Sequence, residues 1–143
     1  MAGTMKIVIL VLTVLFFTGC AQRDPVRGDS TANFTGTFKY AIASPGGFVS
    51  KYTWVVTPHS PNMLNFDMTK VIVRGDGSEI VSRDQATEVE ITDERRLTFS
   101  YTTAHGQLVQ VTALAAPKKL IVNGVALQGE DLTNVPWYEF EKQ

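Results

Sequence analysis

The chain has 143 residues, a formal net charge of −1 and 44% hydrophobic residues, which suits one domain with a core of its own. Its charges are interspersed and form no basic stripe, so nucleic-acid binding has no electrostatic support. One cysteine and two histidines do not supply a disulfide or the usual ligand set of a structural zinc site. We therefore expect no metal and no cofactor.

The first predicted element is an N-terminal apolar segment. Lys6 precedes an apolar run from Ile7 to Phe17, interrupted by one threonine, and the run leads into Thr18, Gly19 and Cys20. This run is shorter than the ~20 residues that a spanning helix needs, but it has the length and order of a secretory signal. Residues 1–19 are therefore predicted to be a signal peptide.

The ending Phe17-Thr18-Gly19-Cys20 resembles the lipobox of bacterial lipoproteins. The resemblance implies cleavage before Cys20 and acylation of that cysteine with fatty acids such as palmitate. Within that family, aspartate after the cysteine marks retention in the inner membrane, and here the residue is Ala21. The resemblance thus implies a lipid anchor at the periplasmic face of the outer membrane.

Residues 20–32 are predicted to be the lipidated cysteine and a flexible tether. The stretch from Ala21 to Ala32 is polar, contains Pro25 and Gly28, and has only one large apolar residue. Such a segment cannot bury enough apolar surface to order itself.

Residues 33–143 are predicted to be an all-β domain, because apolar and polar residues alternate from Asn33 onward. Turn residues recur about every 8–12 positions, as in small β-sandwiches and barrels, and neighbouring strands joined by short turns usually pair. We expect roughly eight to ten strands in an antiparallel meander that closes into a small β-barrel, with a β-sandwich as the alternative.

Two features are predicted near the C-terminus. Asn123-Gly124 lies between the apolar triplets Leu120–Val122 and Val125–Leu127, which is the strongest signal for a two-residue hairpin turn with positive φ at both positions. A closing strand is expected from Trp137 to Glu141, with Pro136 at its entry.

The segment Gly36-Thr37-Phe38 resembles the Gly-x-Trp motif in the first strand of lipocalin-like barrels, with phenylalanine in place of tryptophan. The resemblance implies an up-and-down barrel with a cavity for a small apolar ligand. It also implies that Phe38 packs across the closed end of that barrel.

A set of aromatic residues could either line a ligand pocket or fill the core: Phe38, Tyr52, Trp54, Phe99, Tyr101 and Trp137. Each such side chain buries ~150–250 Å², and a domain without a disulfide needs that burial. We therefore expect these residues to fill the interior and to leave no cavity for a small ligand.

No catalytic set is evident. His59 and His105 lie in predicted turns, and Glu88 and Glu90 share the outer face of one predicted strand. No nucleophile or metalloprotease motif accompanies them, so we predict that the protein is not an enzyme.

These observations favour a non-catalytic binding or structural module of the bacterial envelope. Its expected partners are the membrane, through the lipid, and an envelope protein or the cell wall. A lipocalin-like carrier of a small apolar ligand is the alternative.

Overall fold

The structure is a computed structural model that describes residues 30–126 and 136–143. The predicted signal peptide, Cys20 and the tether up to residue 29 lie outside these ranges. No helix among the described residues is long and apolar enough to cross a membrane.

The described residues form one short helix and eight antiparallel strands, which confirms the all-β prediction. The elements in chain order are α1 (Ser30–Phe34), β1 (Gly36–Ser44), β2 (Phe48–Ser60), β3 (Met63–Val73), β4 (Glu79–Glu90), β5 (Arg96–Thr102), β6 (Leu108–Ala116), β7 (Lys119–Ala126) and β8 (Tyr138–Lys142).

The strands form a nearly closed barrel rather than a sandwich. Their order is β4-β3-β2-β1-β8-β7-β6-β5, so strands that are neighbours in sequence pair along two meanders, and β1 joins them by pairing with β8. The ring is interrupted between β4 and β5, which we call the seam. One hydrogen bond spans it, from the Ala104 amide to Asp84 Oδ1 at 2.9 Å.

The two ends of the barrel differ. At the closed end lie α1, the β2–β3 and β6–β7 turns and the β4–β5 connection, and Asn33 Nδ2 donates to the Glu94 carbonyl at 3.0 Å to hold α1 there. The open end carries the β1–β2, β3–β4 and β5–β6 turns. Because antiparallel strands alternate in direction, each strand passes from one end to the other.

The alternating pattern placed Phe34 on the first strand, and this is wrong. Phe34 lies in α1, where it is fully buried at the closed end, and β1 begins at Gly36. Thr35 N donates to the Thr31 carbonyl at 3.0 Å, so a single helical turn directs the ring into the core.

The predicted hairpin at Asn123-Gly124 is also wrong. Both residues lie inside β7, opposite Thr112 and Val111 of β6, and Gly124 does not have positive φ. The chain turns instead at Pro117 and Lys118, where Lys118 adopts φ of 59°. Pairing along the whole of β6 outweighs the local turn preference of Asn-Gly, because each ladder position adds backbone hydrogen bonds and inner-face packing.

A β-bulge interrupts β4 near the closed end. Leu64 pairs with Val89 and Phe66 with Ala86, so two residues of β4 oppose Asn65 alone. Glu88 has φ of 56°, and its amide donates to Asn65 Oδ1 at 3.0 Å. The bulge changes the register of the wall. Glu88 and Glu90, which flank the buried Val89, are both exposed.

The core fills the half of the barrel nearest the closed end. Its fully buried large side chains come from α1 and from strands all round the ring: Phe34, Phe38, Val56, Leu64, Phe66, Ile91, Leu97, Val111 and Leu120. This packing supports the floor of the site described next.

Candidate functional site

The open half of the barrel encloses a cavity of about 330 Å³. Its wall is formed by the inner faces of β1–β8 and by the β5–β6 turn: Tyr40, Ile42, Tyr52, Trp54, Met68, Thr69, Lys70, Asp84, Tyr101, Thr103, Gln107, Val109, Val111, Val122, Gly124, Tyr138 and Phe140. The prediction of a filled interior is therefore wrong for this half of the molecule. The volume lies at the lower end of the ~300–1,000 Å³ range of ligand pockets.

The strand registers arrange the inner face of β1–β4 in rows. From the floor towards the mouth they are Phe38-Trp54-Met68-Asp84, then Tyr40-Tyr52-Lys70-Ser82, then Ile42-Ser50-Ile72-Ile80. Because directly opposed residues share a face, each row is one level of the wall. The floor is mainly apolar, the middle row is polar and aromatic, and the outer row is again mainly apolar.

All four tyrosines of the chain line this cavity. The Tyr40 ring centroid lies 6.0 Å from that of Tyr52, 5.1 Å from that of Tyr138 and 5.4 Å from that of Phe140. Trp54 packs on Phe140 with a centroid distance of 4.8 Å. These contacts gather most of the aromatic rings on the neighbouring strands β2, β1 and β8.

The cavity stays open because the inner face of β6 and β7 carries small residues. Val109, Val111, Val122 and Gly124 occupy that part of the wall. A Cβ atom at Gly124 would meet Val111 Cγ2 at 3.9 Å and Val109 Cγ1 at 4.0 Å, which is ordinary contact. The glycine thus leaves space that a side chain could occupy.

Two charged groups line the cavity. Lys70 Nζ lies 5.4 Å from the Tyr52 ring centroid, and Asp84 accepts the seam hydrogen bond from Ala104. Burial, with smaller contributions from Asp84 and Tyr52, raises the pKa of Tyr101 to about 12. Partial burial and the neighbouring Tyr138 and Tyr52 also raise the pKa of Tyr40. Phenols are protonated at neutral pH and can donate a hydrogen bond, and the raised pKa values extend that range to higher pH.

Lys70 and Asp84 were not among the predicted site residues, although the sequence contains a signal for the lysine. The alternation of Leu64, Phe66 and Met68 continues in phase through Lys70 to Ile72. A lysine on the apolar phase of a strand is an inward charge, which merits attention as a binding residue. Asp84 carries no such signal, because β4 has few large apolar residues before the bulge.

The six aromatic residues that the sequence suggested as cavity lining or core do not all lie in the same part of the molecule. Tyr52, Trp54 and Tyr101 line the cavity, whereas Phe38 and Phe99 are buried. Phe38 lies at the closed end, where it also borders a surface groove beside Lys142. Trp137 lies just before β8 and is 50% exposed, so it belongs neither to the core nor to the cavity wall.

The comparisons with known proteins concern the fold. A de novo designed fluorescence-activating β-barrel is 19% identical to this chain with a TM-score of 0.53, and the match covers 80% of this chain and 98% of the designed one. EF1p2_mFAP2b, bound to DFHBI, is 16% identical with a TM-score of 0.49, and that match covers 81% and 98%. No protein-family model and no curated protein matches. The chain is thus similar in fold to a designed β-barrel.

Exposed large apolar side chains concentrate around the mouth. They sit at strand ends or beside them on the open end: Ile42, Phe48, Ile80, Val81, Leu108 and Trp137. Ile42 and Ile80 belong to the outermost row of the inner face. The apolar wall of the cavity therefore continues outward to the solvent at the rim.

A second polar cluster lies on the outside. His59 Nε2 is 3.6 Å from Glu88 Oε1, and Asn65 Nδ2 is 3.4 Å from His59 Nδ1. His59 lies within β2, not in the predicted turn, whereas His105 lies in the β5–β6 turn. In the part of the chain that the structure describes, no group of three or more His, Cys, Asp or Glu side chains could hold a metal ion.

Proposed function

We propose that this protein is a non-catalytic binding module that takes one small, largely apolar ligand into the barrel. The cavity of about 330 Å³ at the open end carries this proposal. An eight-stranded barrel has an interior that is either filled by side chains or holds one small ligand, and the small residues of β6 and β7 leave it open. The similarity of Gly36-Thr37-Phe38 to lipocalin-like first strands supports a carrier of this type.

A neutral apolar dye tests this function. We expect N-phenyl-1-naphthylamine to gain fluorescence with the full chain and to bind with a stoichiometry of one. Gly124→Phe should abolish that signal, because the ring would occupy the space beside Val109 and Val111. Gln110→Phe is the matched control, since Gln110 is an exposed residue on β6 between two cavity-lining valines and is not itself part of the lining.

Two outcomes would overturn the carrier function. One is that the wild-type chain does not bind the dye. The other is that Gly124→Phe and Gln110→Phe both retain binding with folded circular dichroism spectra, which would place the dye outside the cavity.

The proposal includes a lipid anchor at Cys20. The apolar run before Cys20 and its lipobox-like ending support attachment to the periplasmic face of the outer membrane, with residues 20–32 as the predicted tether. In this arrangement the barrel would hold its ligand beside the membrane that carries it.

A protein partner in the envelope is the second candidate, and the rim favours it. Exposed apolar side chains that cluster on one end of a molecule are typical of interaction surfaces, and Phe48, Ile80 and Trp137 cluster there. Crosslinking in intact cells from a photoreactive residue at position 48 tests this. A crosslinked protein adduct would support it, and crosslinks to lipid alone would overturn it.

A further inference from the structure

The ammonium group of Lys70 forms no ion pair with the residues that the structure describes. Lys70 lies on the inner face between Tyr52 and Ser82, is half-buried and lines the cavity. The two ion pairs that the described residues form are His59–Glu88 and Lys119–Glu139. The contact of Lys70 Nζ with the Tyr52 ring face, at 5.4 Å, is a weak cation–π interaction.

This position costs free energy unless something compensates it. Partial removal of an ammonium group from water is unfavourable unless a partner accepts its hydrogen bonds. Met68 and Ile72, the inward neighbours of Lys70 on β3, offer no acceptor, and the nearby Ser82 and Asp84 form no hydrogen bond or ion pair with its ammonium group. An anionic group on a ligand would supply the missing partner.

The tyrosines around Lys70 provide neutral donors for the same group. Within the described part of the chain, no hydrogen bond engages the hydroxyl groups of Tyr40, Tyr52, Tyr101 or Tyr138. A phenol is protonated at neutral pH and can donate a hydrogen bond. A carboxylate accepts hydrogen bonds only, so its needs match an ammonium group and phenols.

Asp84 is the carboxylate in the same lining, and it already has a structural partner. Its Oδ1 accepts the Ala104 amide across the seam. Asp84 lies one row nearer the floor than Lys70. An anionic group at the level of the Lys70 row would therefore lie nearer to the ammonium group and the tyrosines than to Asp84.

We propose that the ligand is an apolar molecule with one carboxylate end, such as a medium-chain fatty acid. The carboxylate lies against Lys70 and the tyrosine hydroxyls. The apolar part points towards the floor formed by Trp54, Met68, Val111, Val122 and Phe140. This inference rests on the proposed ligand-binding function and specifies the ligand class for the same cavity.

Displacement of N-phenyl-1-naphthylamine by three ligands with matched chains tests the class. Decanoate, decanol and decylammonium share the apolar chain and differ in the charge of the end group. We expect decanoate to displace the dye at about ten-fold lower concentration than decanol, since hydrogen bonds to charged groups are among the stronger ones. Decylammonium should be the weakest competitor.

Variants of Lys70 assign the effect to this side chain. Lys70→Met should remove the advantage of decanoate over decanol when each displacement is referred to the variant's own affinity for the dye, and Lys70→Arg should retain most of that advantage. Lys51→Met is the matched control, because it makes the same charge change at an exposed residue of β2 that does not line the cavity.

The outcomes separate the two proposals. Equal displacement by decanoate and decanol, or tighter binding of decylammonium, would overturn the carboxylate class while the dye signal preserves the binding function. A preference for decanoate that survives in Lys70→Met would overturn the role of Lys70. Failure of the dye to bind at all would overturn the function itself.

Discussion

Gly124 lines the cavity, and because it has no side chain it adds to the free volume there. It lies in the middle of β7 opposite Val111, without positive φ, so its lack of a side chain is not needed for the backbone. A glycine inside a strand costs about 0.5–1 kcal/mol relative to alanine. Its presence here keeps volume free at the expense of stability.

We therefore predict that Gly124→Ala raises the free energy of unfolding by about 0.5–1 kcal/mol, as measured by denaturant titration. Gly106 is the matched control. It has φ of 81° in the β5–β6 turn, so Gly106→Ala should cost about 1–2 kcal/mol. Equal losses at both positions would contradict the placement of Gly124 inside β7.

Tyr101 should make stability depend on pH in the alkaline range. Burial raises its pKa from the ordinary 10.0 to about 12. Below pH 10 both the folded and the unfolded chain hold this proton, so the contribution is complete. Between pH ~10 and ~12 the unfolded chain loses the proton and the folded chain keeps it, so the free energy of unfolding falls by roughly 2 kcal/mol.

In Tyr101→Phe, the free energy of unfolding should fall less between pH ~10 and ~12, because the contribution of the Tyr101 phenol is absent. Denaturant titrations at pH 9, 10.5 and 11.5 would show a shallower decline in the variant than in the wild type. A parallel decline in both proteins would mean that the Tyr101 phenol is not held protonated by the fold.

At the scale of elements, the seam is the weakest join in the barrel wall. Every other adjacent pair of strands forms a ladder, whereas β4 and β5 are linked through Asp84 and the Ala104 amide. Loss of one hydrogen bond to a charged acceptor costs about 1.5–3 kcal/mol. Loss of the hydrogen bond at the seam should therefore let β4 and β5 separate locally.

We expect Asp84→Ala to speed hydrogen exchange at the Ala104 amide, and Asp84→Asn to speed it less, because the amide oxygen of asparagine can still accept. Asp67→Ala is the control, since Asp67 accepts Gln85 Nε2 at 2.6 Å on the exposed outer face of β3 and β4. Exchange at Ala104 that is the same in all four proteins would count against a closing role for Asp84.

The strands were predictable where the inner face is continuous. Leu64, Phe66 and Met68 alternate with the polar Asn65 and Asp67 because one face is buried and the other is solvated. The hairpin predicted at Asn123-Gly124 was wrong because the pairing of β7 with β6 determines the structure of that region. The turn that is present, at Lys118, contains no glycine and so gave no signal in the sequence. Phe34 was misplaced because one helical turn can bury a ring as well as a strand does.

The candidate site was harder to predict than the fold. Aromatic residues are large enough to fill a small barrel, and the sequence does not reveal that Tyr40, Tyr52 and Tyr138 pack together on the neighbouring strands β1, β2 and β8. The cavity follows from the contrast between those rings and the small residues of β6 and β7. That contrast can be recognised only once the order of strands around the barrel is known.

At the scale of the whole molecule, the lipid anchor is the prediction with the widest effect. Intact-mass analysis of detergent-extracted full-length protein should reveal a chain that begins at Cys20 and carries acyl groups. Cys20→Ser should lose the acyl mass and leave the membrane fraction. A mature N-terminus at any other residue would falsify the lipoprotein assignment, while leaving the barrel and its cavity untouched.

The position of α1 has a consequence for the direction in which the barrel faces. The chain enters the fold at the closed end, so a lipid at Cys20 would be attached, through the predicted tether, to the end of the barrel opposite the mouth. β1 has nine residues, and at about 3.3 Å per residue with the ~35–45° tilt of barrel strands the mouth lies on the order of 20 Å further along the barrel axis. Cargo would then exchange with the aqueous compartment, or with a surface across it, rather than with the lipids around the anchor.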